Sequence, residues 1–389
     1  LKRYTELDSL RGIAALCVIF SHFVFVLQYV PNWISMLNAS PLRFLKGGHE
    51  AVIFFFVLSG FVLTLPFLSK NSIKYSRYLI SRFFRIYIPY ISVLLFSLLL
   101  YYFTHSNTIN VAHWWNNELT IGEIVRQALL VTEFNDSAIN PVVWSLTQEM
   151  RISIVFPLIV YIVLKPKWYI SIGLGVALSI IALILNHYIP SDFSNPISTN
   201  YFFTLHYIGM FIVGSNLAVN RDILIKKVQT LSIGFRFILF ILGLMFYSYG
   251  GGLDKILNKV FPAIDNFPWM NLVSDWCISF GVAIIIISSL SSVKGSNLLR
   301  IKPLTFLGKI SYSLYLVHAV LLLSLIHLLS QYFLLWQIEL IVFLIVIPVA
   351  YVCYLLIEKP SIKLGKKLFK KFDEKNQPSY SVSSMEMKN

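Results

Sequence analysis

The sequence predicts an all-α integral membrane protein of about ten transmembrane helices, with its N-terminus and C-terminus both cytoplasmic. Three observations predict it: an apolar composition, ten apolar segments of membrane-spanning length, and basic residues gathered in alternate connections. Of the 389 residues, 57% are hydrophobic and only 13% are charged. A soluble globular chain carries about 25% charged residues. With a mean hydropathy of +0.72, this chain cannot cover its surface with polar groups, so lipid must cover most of it.

The apolar segments fall, in order, at 10–30, 51–68, 86–104, 142–164, 168–186, 201–219, 234–250, 271–292, 304–328 and 337–357. Most reach the ~20 residues that cross a ~30 Å hydrocarbon core, and the seventh sits at the short limit. The first is long, contains Arg11 and His22, and lacks a small-residue cleavage site. It therefore reads as a retained span and not as a signal peptide. The net charge of +14 invites a nucleic-acid partner, and the positions of the charges dismiss one. With the N-terminus inside, the inner connections hold Lys2, Arg3 and Arg11; Lys70, Lys74, Arg77, Arg82 and Arg85; Lys165 and Lys167; and Arg221, Lys226, Lys227 and Arg236. They continue with Lys294, Arg300 and Lys302 and the lysines after Glu358. The outer connections hold only Arg43, Lys46, Arg126, Lys255 and Lys259, while Arg151 and Lys309 fall inside apolar segments. Such asymmetry sets orientation. The charge reports topology, and no nucleic acid is expected.

No linker or repeat marks a second domain. Residues 1–358 read as one transmembrane domain, and 359–389 as a cytoplasmic tail, basic then polar from Ser379 and disordered. The largest outer connection, 105–141, is too short and irregular for a core of its own. Cys17, Cys277 and Cys353 lie inside apolar segments, without disulfide or metal-ligand spacing, so no metal is expected.

Function then lives in polar residues placed where lipid would penalise them. Arg11 and His22 are eleven residues apart, three helical turns, so they share one face about 16 Å apart along the axis. Asp8, one turn before Arg11, can pair with it. Arg11 is either an interfacial anchor or part of a site. His22 is either an interhelical hydrogen-bond partner or a general base, since imidazole titrates nearest neutrality. In the fourth segment Ser145, Gln148 and Glu149 share a face. Counted from the segment ends, Glu149 and His22 lie about 11 and 12 Å deep, at the same level. Glu149 could thus hold His22 in one tautomer; its alternative partners are Arg151 and Arg11. Arg82 and Arg85, one turn apart, offer forked donors suited to phosphate oxygens, against the alternative of ordinary inner-loop charge. Weaker features are Ser59-Gly60, which permits close helix approach or lines a cavity, and a stripe of Ser311, Tyr312, Tyr315 and His318. His49 and Glu50 read as solvated.

These residues also carry a resemblance. The chain resembles the acyltransferase 3 family of bacterial membrane acyltransferases over nearly its whole length. The shared motifs are Leu7-Asp8-Ser9-Leu10-Arg11-Gly12, the Arg11/His22 pair, Phe55 to Phe61, Arg82-x-x-Arg85, and Trp144-Ser145-Leu146 with Glu149. Gly308 to Tyr315 and Glu358-Lys359-Pro360 complete the set, seven in order. The resemblance implies a cytoplasmic acyl-CoA donor, usually acetyl-CoA, and an acceptor hydroxyl on a lipid-linked sugar or envelope glycan such as lipopolysaccharide O-antigen. It implies that Arg82 and Arg85 hold CoA phosphates, that His22 activates a nucleophile, and that Arg11 and Glu149 support it. A bacterial inner (plasma) membrane location follows from the same likeness. Some relatives carry a fused extracytoplasmic hydrolase-like domain; none is expected here, and transfer is expected either directly in the membrane or through a separate extracytoplasmic partner. Two rivals remain open: a proton-coupled transporter using Arg11, His22 and Glu149, and a non-enzymatic subunit of a glycan-assembly complex.

Overall fold

The computed structural model describes residues 4–27, 32–38, 40–69, 74–106, 109, 111, 114–115, 119–189, 199–252 and 269–375. Among them helix is the only extended secondary structure, beside one isolated bridge between Val111 and Trp114. Ten helices among the described residues are long and apolar enough to cross a membrane. They are Thr5–Val26, Gly48–Leu68, Tyr75–Thr104, Val143–Leu164, Trp168–Tyr188, Tyr201–Thr230, Ile233–Gly252, Leu272–Ser291, Lys302–Leu329 and Leu335–Leu368. Each corresponds to one apolar segment of the sequence, the short seventh included. With their outer faces dressed in exposed Leu95, Leu99, Ile180, Phe237 and Phe343, they form a multi-pass membrane protein.

The differences lie at the ends. The third helix begins at Tyr75, the sixth runs to Thr230 and the tenth to Leu368, all beyond the apolar segments. Hydropathy stops at the first charges; the backbone ladder does not. Beyond Glu358, the stretch read as a disordered tail is helical over Lys359–Lys375. The reason is local: Ser361 and Gly365, one turn apart, are buried, Ser361 Oγ bonding the Phe84 carbonyl and Gly365 resting on the Phe84 ring. Residues 376–389, Ser379 included, lie outside the described residues, as do Lys2, Arg3, Lys70, Lys255 and Lys259. The connection 105–141 contributes a short helix, Ile121–Leu129, tied back to the third span where Tyr90 Oη donates to the Gln127 carbonyl at 2.7 Å. The cysteines Cys17, Cys277 and Cys353 are free.

The ninth span is the hub, buried almost continuously from Ile310 to Ser324. The first span lies along it because glycines let the backbones touch: a Cβ on Gly12 would sit 2.6 Å from Gly308 N, and one on Gly308 would sit 2.1 Å from the Asp8 carbonyl oxygen. Gly12 faces Gly308 and, ten residues on in both helices, His22 faces His318, so the two run parallel and in register. The second and sixth spans cross as closely. Gly60 abuts the Phe211 backbone and Gly214 the Val57 carbonyl, the small-residue approach that membrane helices use and that Ser59-Gly60 announced.

Candidate active site

The third span places its arginines through a departure from regular helix. Tyr75–Arg82 is α-helical, Phe83–Tyr87 forms a π turn, and the α-helix resumes at Ile88 with Pro89 in its first turn. Proline has no N–H to give the carbonyl four residues earlier, so the ladder shifts register there. Neighbouring helices serve the loosened carbonyls: Tyr312 Oη donates to the Ile86 oxygen at 2.7 Å, and Ser361 bonds that of Phe84. Single π turns recur at functional sites, and this one carries Arg85.

Arg82 and Arg85 open onto a narrow cavity of about 100 Å³ inside the bundle. Arg11, Ser59, Ser145, Glu149, Ser311, Tyr312 and Tyr315 share its walls, so most of the polar residues singled out in sequence converge here. Arg82 Nη2 donates to Glu149 Oε1 at 2.5 Å, and its Nε donates to Ser153 Oγ at 3.2 Å. Ser59 Oγ donates to the same Glu149 oxygen at 3.2 Å. Arg11 and Arg85 form no ion pair among the described residues. Glu358, which is not part of the lining, accepts from Ser313 Oγ at 2.6 Å. The lining thus holds three guanidiniums and one carboxylate, an excess of forked donors of the kind that suits an anion.

The expected His22–Glu149 couple is not formed. His22 Nδ1 lies 2.9 Å from His318 Nε2, the rings stacked, while Glu149 is taken by Arg82. The depth count took the spans as level and upright and left out the third helix, which carries Arg82 into the bundle to take the carboxylate. Gln148 also leaves the site. It is fully buried and turned toward the sixth span, donating to the Asn200 carbonyl at 3.2 Å and accepting from Thr204 Oγ1 at 2.6 Å. Arg151, the alternative partner of Glu149, instead donates to the Val131 and Thr199 carbonyls at 2.9 and 2.7 Å. Its guanidinium stacks on Tyr201.

The histidine pair sits beyond the end of the cavity away from the arginines. Tyr315 lines the cavity and His318 follows it by one turn; their ring centroids are 5.8 Å apart. Tyr315 Oη lies 2.7 Å from Ser145 Oγ and donates to the Val142 carbonyl at 3.0 Å. Polar groups therefore run from Arg82 through Glu149, Ser145 and Tyr315 to the imidazoles.

One cluster was missed. His49, read as solvated, approaches Asp275 Oδ1 at 2.6 Å, and buried His206 approaches Oδ2 at 3.0 Å. The signal was present: Asp275 is an acidic residue inside an apolar segment, which demands partners. A single acidic residue has no spacing pattern, and its partners His49 and His206 lie far from it in the sequence.

The comparisons agree with this architecture. A family model described as an acyltransferase domain matches residues 4–358. The O-acetyltransferases OatA of Staphylococcus aureus strains NCTC 8325 and COL are each 28% identical to the chain over 399 residues, covering 93% of the chain and 58% of the relative. The chain thus spans little more than half the length of these relatives. No solved structure matches it. With ten spans, the arginine cavity and a family match over residues 4–358, this chain belongs to the acyltransferase domain family.

Proposed function

We propose that the protein is an O-acetyltransferase of the bacterial inner membrane, moving acetyl from cytoplasmic acetyl-CoA to a hydroxyl of an envelope glycan or lipid-linked sugar such as lipopolysaccharide O-antigen. The observation that carries this reading is the cavity lining, three guanidiniums against one carboxylate. A CoA donor is polyanionic at one end and carries its thioester at the end of a long flexible arm. Arg11, Arg82 and Arg85 suit the phosphates. The roughly 16 Å of helix between Arg11 and His22 suits the arm. The positive-inside count supports placing the arginine end, both chain ends and the basic tail in the cytoplasm.

In this reading the acetyl carbonyl lies near His22. The acceptor oxygen adds to the carbonyl carbon as His22 takes its proton, and the C–S bond breaks. The proton passes to the CoA thiolate, giving an ester and free CoA. Glu149 keeps Arg82 aimed into the cavity, and Ser145 and Tyr315 line the path between. The test is release of free CoA from acetyl-CoA by the protein in lipid nanodiscs, with and without a crude envelope-glycan fraction. Release stimulated by glycan and abolished by His22→Ala is expected. No release from folded protein with any fraction contradicts the reading, and proton-coupled solute flux in vesicles then tests the transporter.

A further inference from the structure

His318 Nδ1 lies 2.8 Å from the Tyr315 carbonyl oxygen and 3.2 Å from that of Leu314. A carbonyl oxygen only accepts, so Nδ1 of His318 carries a proton in any charge state. With His318 neutral, as full burial requires of an imidazole with no carboxylate against it, its Nε2 holds a bare lone pair. That lone pair faces His22 Nδ1 at 2.9 Å. His22 Nδ1 must then be the donor, and in neutral His22 the proton-free nitrogen is Nε2. His318 is 0% exposed and every one of its polar atoms is engaged, so it has no freedom to turn its ring. The ninth span itself supplies the anchoring carbonyls, one helical turn back from His318. The register of the first span against the ninth, fixed at Gly12 and Gly308, delivers His22 to it. His22 Nε2 has no protein partner among the described residues; its ring edge meets Trp114.

We infer that His318 is a positioning residue that holds His22 in the Nδ1–H tautomer and so reserves His22 Nε2 as the base. The inference rests on the acyltransferase reading for what the base does, but not for which nitrogen is bare. It replaces Glu149 by a neutral imidazole as the group behind the base. A neutral acceptor fixes the tautomer as a carboxylate would. It stabilises an imidazolium less, which keeps His22 uncharged between turnovers in an apolar setting.

The pair is tested by ¹⁵N-histidine NMR of the intact protein in nanodiscs, a chain with eight histidines, the His22 signals being identified by their loss in His22→Gln. Protonated Nδ1 with bare Nε2 on His22 is expected; Nε2–H with bare Nδ1 overturns the inference. Activity separates positioning from packing. The amide oxygen of His318→Gln can still accept from His22 Nδ1, whereas His318→Leu cannot. Turnover within several-fold of the parent is expected for the glutamine variant. For the leucine variant we expect a fall of about 10²- to 10⁴-fold with KM for acetyl-CoA unchanged. Equal activity of the two variants overturns the inference. An inactive parent protein showing the expected tautomer would overturn the acyltransferase reading alone. An active one showing the opposite tautomer would overturn this inference alone.

Discussion

Arg82 and Glu149 meet at 2.5 Å, joining the charged opening of the third span to the fourth span inside the bundle. Their side chains are 9% and 19% exposed, and both face the cavity. The bond leaves Arg82 fixed by Glu149 and Ser153 while Arg11 and Arg85 remain available to an anion. It also separates two roles that the sequence merged: the carboxylate serves the arginines, and the imidazole has a partner of its own.

Breaking that pair from one side strands a charge. Removing one member of a buried pair costs about 3–5 kcal/mol, and the contact with the cavity reduces this to roughly 1–3 kcal/mol. Glu149→Gln and Arg82→Gln should each lower the thermal midpoint of the detergent-solubilised protein. The double variant should lose less than the sum of the two. Additive losses in this cycle would mean that the two side chains are not coupled.

The close helix crossings make a sharp contrast between glycines. A methyl on Gly60 would lie 2.2 Å from the Phe211 carbonyl oxygen, which belongs to backbone and cannot turn aside. Gly60→Ala should therefore cost about 1–3 kcal/mol as the second and sixth spans are forced apart. Gly173 has nothing within 4 Å of its would-be Cβ, and Gly173→Ala should be neutral or stabilising by up to about 1 kcal/mol. Unfolding midpoints of both variants check this, and equal losses would contradict the crossing.

Much of the molecule was legible because lipid imposes length and apolarity on each span, so ten segments could be counted directly. The cavity residues were legible singly, since Arg11, Arg82, Arg85 and Glu149 are costly in an apolar setting. Their pairing was not. Which carboxylate meets which cation depends on tilt, on where a helix starts behind its charges, and on the π turn at Phe83–Tyr87, none of which a hydropathy profile carries. Pro89 was the available hint. His318 was visible only as one member of a stripe, because partnership with His22 requires the parallel register of the first and ninth spans.

Asp275 offers a test outside the cavity. Its carboxylate, 6% exposed, serves His206, which is 1% exposed, and His49, which is 47% exposed. Asp275→Ala leaves the His206 nitrogen unpaired away from solvent, at a cost of about 1–3 kcal/mol. His49→Ala removes a half-exposed partner and should cost clearly less. Thermal midpoints that rank the two variants the other way would refute this account of the cluster.

The central claim is that Arg11, Arg82 and Arg85 form the seat of a phosphate-bearing donor, and equilibrium binding of acetyl-CoA to the nanodisc-embedded protein tests it most directly. Saturable binding should weaken about tenfold or more in Arg85→Ala, the loss of one charge-assisted contact, and Arg85→Lys should not restore it, because the fork is lost. It should fall with added salt, and a pantetheine thioester without phosphates should bind far more weakly. Binding that is absent in the folded protein, or unchanged in both Arg11→Ala and Arg85→Ala, would contradict the claim.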